Sequence, residues 1–469
     1  MSSSSDHHSD KIPTREIFDL PRISTGKYEA PSLPLQVQYG PRSGAIQIPE
    51  SEREILEQFA SWEQNPPFEQ YGRSAHMQRQ TPLKIGSDTI YGYKLKGVGN
   101  FDPKTEKISP PRGDSYQAKT GTRDLFGNVV NEKPVILIHQ GISDDGSFRP
   151  ILDPKKPVGG LASGRGQREF ENAVKLHDAG VLACLPIEWG RYPSVMWEGQ
   201  PTEFVILGLP GEDKQRLTEY FEPSPDRGRW GIGKAMHQLL STRCNVQNES
   251  EKTQVLLISV AEMAMNIGKL LRKAHTQAGV ARFASHLGNF SFAPDMRGVI
   301  LHDLDSSVSL RDLSPTAQSL TIIRDIESAI FGFLHSIAHA NILYIAENQD
   351  MFTHYNLFQS LLQGYFGGDV DSAAIQHAGR SVMAMFLELM KGRGLNPSAD
   401  QQQMWLAIAG HNMPPHAMKE VFSLYEKSSL NQKIPLPYKK PKLEENIARY
   451  QQQMGEVYIR EAAKLSSSR

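Results

Sequence analysis

Four residues of this 469-residue chain have types and spacing that could do chemistry together: Lys96, Glu169, Asn289 and Asp303. Lys96 ends a strand-like run and opens the stretch KGVGN, with Gly97 and Gly99 just beyond it. A lysine at a strand end projects an ammonium towards phosphates, and the two glycines let the backbone come close to a ligand. Alone, Gly-x-Gly after a strand is most often a plain turn. Glu169 opens a helix that stops at Gly180, within GQREFENAVKLHDAGV. The helix dipole favours an acid in a first turn without any further role. The functional alternative is that Glu169 pairs with Lys96 and fixes its ammonium for phosphate binding. Asn289 and Asp303 flank a hairpin turning at Pro294-Asp295, so an Asn and an Asp from neighbouring strands could share one divalent ion. Mg²⁺ takes hard oxygen ligands and keeps water and phosphate oxygens as the rest of its shell. His286 and Asp305 lie beside these two ligands. Arg165 and Arg168 approach Glu169 through a glycine-rich stretch and could clamp phosphates bidentately, although arginines in an exposed glycine loop are more often solvated.

In order and spacing these stretches resemble the protein-kinase-like fold in its small-molecule-kinase style. Its catalytic loop reads G-V-x-H-G-D-L-H-P-G-N and is followed by an I-D-F-D metal motif. Gly279 lies ten positions before Asn289, the same separation as in that pattern. His286, Gly288 and Asn289 coincide with its H-P-G-N, and Asp303 falls where the metal-binding Asp belongs. The chain is most similar to the selenoprotein O-like pseudokinases. Leu95-Lys96-Gly97-Val98-Gly99 matches their L-K-G-x-G stretch, and Arg168-Glu169, with Glu169 eleven residues before Gly180, repeats their R-E spacing. The likeness spans about residues 80–330.

This resemblance implies ATP as the nucleotide, with Lys96 on its phosphates, Glu169 orienting Lys96, and Asn289 and Asp303 holding Mg²⁺ or Mn²⁺. Residues 204–209, followed by Pro210-Gly211, would join the lobes, with their backbone meeting an adenine ring. One departure concerns the base. Arg282 and Ala284 stand where the usual catalytic His and Asp belong, and Ala284 cannot orient or deprotonate a hydroxyl. Selenoprotein O-like proteins also lack that Asp. They transfer the AMP part of ATP to protein hydroxyls, with the nucleotide flipped. The Asp that precedes their metal-binding Asn is Gly288 here, which leaves His286 or Asp305 as the base. AMP transfer to an unidentified protein acceptor is slightly favoured. A phosphotransferase acting on a small molecule or a protein, and an inactive nucleotide-binding scaffold, are the alternatives.

The elements that must position these residues follow from periodicity. Ile55, Phe59 and Trp62 recur at helical spacing over 52–62. Strands are expected from 81, over 89–96, from Val135, and over 182–189 and 204–209. A helix over 168–179 lies among them, stopped by Gly180. From about 231 the chain reads as helical, most clearly over 254–278, then near 318–347, 352–364, 371–391, 401–409 and 443–464. This pattern predicts an α+β, two-lobed fold: a small sheet-rich N-lobe over 51–205 and a larger helical C-lobe over 206–430. Residues 1–50, with six prolines, are expected to be poorly structured, 101–160 to be an insertion with one strand, and 431–469 to be a proline linker and helix.

Composition narrows the classes. With 51 basic and 52 acidic side chains the net charge is −1, which argues against holding nucleic acid by bulk positive charge. Hydrophobic residues at 39% support a large core, and two cysteines fit a reducing compartment. The most apolar stretch, from Val255, carries Glu262, Asn266 and Lys269, so no membrane span is expected. The N-terminus has no basic start and no apolar run, and a cytoplasmic protein is expected. His335 and His339 have helical metal-ligand spacing without the Glu-x-x pattern. The pairs His411/His416 and His7/His8 lack a partner set, HQGISDDGS lacks the G-x-S-x-G elbow, and Cys184 reads as an inert core residue.

Overall fold

The computed structural model describes residues 34–63, 69–71, 74–98, 100–102, 107–109, 121–123, 129–134, 138–152, 160–211, 216–221, 249–282, 285–340, 349–391 and 415–467. Residues 1–33, the start of the strand expected from Val135, the expected helix over 401–409, Gly99, Ala284, Cys244, His411 and the His7/His8 pair lie outside them, as do the side chains of His335 and His339.

Side-chain alternation in the strand Asp88–Lys96 fixes the first layer. Tyr93 and Leu95 join an apolar cluster on one face of the sheet, with Leu56, Phe59 and Trp62 from the helix Glu50–Ser61 and the residue after it. Lys94 and Lys96 therefore face the other way, into the space between the lobes. The sheet is antiparallel and six-stranded, in the order Gln38–Tyr39, Leu185–Trp197, Gln200–Leu209, Asp88–Lys96, Ser74–Ile85, Glu69–Tyr71. The expected strands over 182–189 and 204–209 are the two arms of one longer hairpin, which turns at Glu198-Gly199 with φ of 49° and 76°.

On its inner face the sheet contributes Val205, Leu207 and Leu209 to the larger core, most of which comes from the helical lobe. The longest expected helix spans Glu249–Lys273, continues as a wider turn over Ala274–Ala278, and stops at Gly279 with φ 64°. It crosses the helix Leu357–Phe366 at Gly268 and Gly364, where a Cβ would stand 2.1 Å from Leu361 O and Met265 O respectively. By length and composition Thr253–Ala278 is apolar enough to cross a membrane, with a mean hydropathy of 1.4, contrary to expectation. Glu262 and Lys269 leave the stretch apolar enough on average to pass on length and composition alone. Here 56% of the apolar window is buried inside the fold, as in a core helix.

Further helices cover Pro315–Ala340, Gln349–His354, Ser372–Lys391, Pro415–Lys427 and Lys440–Ser467. The expected helix over 352–364 is broken at Asn356, whose side chain caps the second piece by accepting from Gln359 N–H. Within the expected insertion, Ile138–Ile142 and Phe148–Leu152 form a hairpin. Its turn docks on the C-terminal helix: the Tyr438 hydroxyl and the Asn446 amide donate to Gly146 O at 3.0 and 3.3 Å. The apolar stripe Leu443, Ile447 and Tyr450 of that helix is buried in the core. The α+β, two-lobed arrangement is thus present, with a small antiparallel sheet over a mostly helical lobe.

Candidate functional site

The helix carrying Glu169 begins at Arg165, earlier than apolar periodicity suggests. Gly166 explains this, because a Cβ there would lie 2.8 Å from Phe204 O, so only glycine lets the first turn rest on the sheet. The early start moves Glu169 out of the first turn, and the helix-dipole explanation for an acid there falls away. The helix stops at Gly180 (φ 61°), with Gly180 N–H donating to His177 O and Val181 N–H to Leu176 O, the paired bonds of a Schellman cap. Phe170, Ala173 and Leu176 anchor its inner side, and Glu169 is fully buried among them.

Lys96 Nζ donates to Glu169 Oε2 at 3.0 Å and is 2% exposed. It also bonds the Asp303 carboxylate and lies 3.4 Å from Asp305 Oδ1. Arg165 Nη1 faces Asp305 Oδ2 at 3.6 Å, and the Leu304 amide donates to Glu169 Oε1 at 3.2 Å. One oxygen from each of Glu169, Asp303 and Asp305 falls within 4.8 Å of the others. Burial pushes the Glu169 carboxyl up against the pull of Lys96, and Asp305 and Asp303 push it further. Three carboxylates thus converge as a hard-oxygen donor set, with Lys96 and Arg165 against them and Lys94 and Arg282 close by. The residues present fit Mg²⁺ or Mn²⁺ on this ground.

The strand pair Phe290–Phe292 and Val299–Leu301 brings Asn289 alongside the Asp303 segment, since His302 N–H donates to Asn289 O at 2.9 Å. Asp303 itself takes the left-handed conformation, φ 58°. His286 lies one turn back, its carbonyl accepting from Asn289 N–H at 2.9 Å and its Nε2 3.2 Å from Asn289 Nδ2. The structure therefore gathers Lys96, Glu169, Asp303, Asp305 and Arg165, with Asn289 and His286 adjoining. Gly97 (φ 88°) makes its close approach to the chain's own backbone, as a Cβ would stand 2.4 Å from Glu203 O. Arg168 is placed elsewhere, in the wall of a separate cavity behind the helix.

Sequence reasoning missed three supports. Arg282, fully buried, donates to the carbonyls of Asn289 (3.5 Å), His302 and Asp303, tying the loop to the Asp303 segment. Asp325, in the helix Pro315–Ala340, accepts from the Arg282 amide at 2.8 Å, from the Ser285 hydroxyl and from His275 Nε2 at 2.9 Å. Gly332 lets that helix touch the loop, where a Cβ would lie 2.7 Å from His286 Cα. The signal for the second was present: Arg324, Asp325 and Glu327 are charges inside an otherwise apolar run. Burial pushes the Asp325 carboxyl up, but the bonds from His275, Ser285 and Arg282 outweigh it and hold it below the usual range. Its bonds therefore stabilise the fold above the unfolded carboxyl's range, and that contribution is lost as pH falls through the depressed value. Asp325→Ala should cost about 3–5 kcal/mol in urea unfolding at pH 7. The gap to the wild type should narrow in acid; a gap that widens there would refute the assignment.

The face that carries Lys96 also carries Lys94, 4% exposed and paired across the sheet with Leu207 on one side and His76 on the other. Burial, then Lys94 and Arg216, push the His76 imidazole down to about 3. His302 is driven well below its usual value by burial and then by Arg216 and Lys94, and it bridges Cys184 Sγ (3.1 Å) and Ser291 Oγ (2.6 Å). Basic groups thus gather where the sheet leads into the segment joining the lobes, and carboxylates gather around Lys96.

Comparison with known proteins adds little to this geometry. No family model matches the chain, and no curated protein matches it. Solved structures that match include an amicoumacin kinase in complex with AMP-PNP and Ca²⁺, 13% identical over 70% of this chain and 93% of that one, with a TM-score of 0.22. Another is the ROP18 kinase domain in complex with AMP-PNP and sucrose, 13% identical over 80% of this chain and 97% of that one, with a TM-score of 0.24. At such TM-scores the likeness carries no argument.

Proposed function

We propose that the chain is an ATP- and divalent-metal-dependent transferase that moves AMP to a protein hydroxyl, as selenoprotein O-like proteins do. The observation that carries the choice of AMP is the second lysine, Lys94, which with Arg216 puts positive charge at the lobe-joining end of the cleft. That charge suits the β- and γ-phosphates better than an adenine ring. The α-phosphate would then lie towards Lys96 and the carboxylates. The acceptor oxygen bonds the α-phosphorus, the bond to the bridging oxygen breaks, and pyrophosphate leaves. Either the His286 imidazole or the Asp305 carboxylate would take the hydroxyl proton. His286 is our choice, because Asp305 is already engaged by Lys96 and Arg165. Lys96, oriented by Glu169, stabilises the charge on the transferred phosphate. Asn289, Asp303 and Asp305 would hold the metal, which when bound neutralises phosphate charge.

Incubation with ATP labelled at the α- or the γ-phosphate tests this. Label reaching protein from the α-position only is the expected result. Label from the γ-position only would make the chain a phosphotransferase, with the protein or small-molecule fraction naming the acceptor. No label from either position, with ATP still bound, would make it a nucleotide-binding scaffold.

A further inference from the structure

A cavity of about 390 Å³ lies behind the glutamate helix, a volume within the range of small-ligand sites. The helix Arg165–Asp178 forms one wall, and the segment just after the metal motif, residues 308–313, forms the other. Asn172, 2% exposed, already joins the two walls by donating to Ser307 O at 3.1 Å. Arg168 and Lys175 line the cavity from one side of the helix, seven residues apart, about 10 Å along its axis. Both are half-buried, whereas the acids of the lining, Glu171 and Asp312, are exposed at the rim. Glu171 accepts the Gln167 amide at 2.8 Å. Arg168 Nη1 is enclosed and has no hydrogen-bond acceptor among the described residues. A guanidinium N–H enclosed without an acceptor has an unmet bonding demand, which an anionic oxygen in the cavity would meet once the side chain turns towards it.

We propose that this cavity is a second binding site, for a small anion of the phosphate class about as large as pyrophosphate, clamped between Arg168 and Lys175. An anion there ties the glutamate helix to the segment leaving the metal motif. It thereby steadies the Lys96–Glu169 pair from behind. The site does not depend on what the cleft binds.

The test is calorimetric titration of pyrophosphate, in chelator without divalent metal, into the full chain and three variants: Arg168→Gln, Lys175→Gln and Lys94→Met. Wild type and Lys94→Met should bind equally, and each of the other two should bind at least about tenfold more weakly. Hydrogen exchange in the wild type should slow over Arg165–Asp178 and 307–313 on adding pyrophosphate. The two glutamine variants keep a polar side chain at a partly exposed position, and unchanged thermal midpoints would confirm their folding. The proposal is overturned by absence of binding to the wild type, or by affinity indifferent to both glutamine variants. It is equally overturned by loss in Lys94→Met alone with protection confined to the sheet, which would place the anion in the cleft. A cleft that binds no ATP would leave the expected result unchanged.

Discussion

Lys96→Met should lower nucleotide-dependent transfer by at least about 100-fold, the scale of losing one preorganised charge donor at a reacting phosphate. Methionine fills most of the volume, so the loss is of charge and hydrogen bonds rather than of packing. The variant should also be less stable at neutral pH, for a reason internal to the site. Glu169, Asp303 and Asp305 would then face Arg165 with no ammonium between them. Adding Glu169→Gln removes one of the three anions and should recover much of that stability in urea unfolding. It should recover none of the transfer, because nothing replaces the ammonium. A double variant that regains activity along with stability would show Lys96 to be structural.

Asp303→Asn is the cleaner probe of the metal. Asp303 has φ 58°, a conformation that asparagine accepts readily and alanine does not. Its side chain is 34% exposed, the open member of an otherwise buried carboxylate group. The substitution therefore keeps the backbone and removes one hard anionic ligand. Transfer should fall by about 100- to 1,000-fold, matching several kcal/mol of lost charge stabilisation, with the thermal midpoint near the wild type's. Wild-type rates in Asp303→Asn, measured across a Mg²⁺ titration, would remove Asp303 from the site.

The residues brought together here are those whose order and spacing the sequence already marked, because strand ends, helix stops and hairpins leave local signals. Gly180 told where the glutamate helix ends, whereas its start was hidden by a glycine cluster that reads as loop but packs as helix against Phe204. Lys94 went unread although it lies two residues before Lys96, since the alternation that puts both on one face matters only once the other face is known to be covered. Asp325 is distant in sequence from every residue it holds, so no local pattern could assign its partners. The docking of the 138–152 hairpin on the C-terminal helix is likewise a contact across about 300 residues.

The proposed transfer requires the cleft to bind a metal–nucleotide. Calorimetric titration of ATP with Mg²⁺ into the full chain measures that directly. One site per chain is predicted, weakened at least about tenfold by Lys96→Met and dependent on divalent metal in the wild type but not in Asp303→Asn. Absence of binding, or binding that ignores both the metal and these two substitutions, would contradict it.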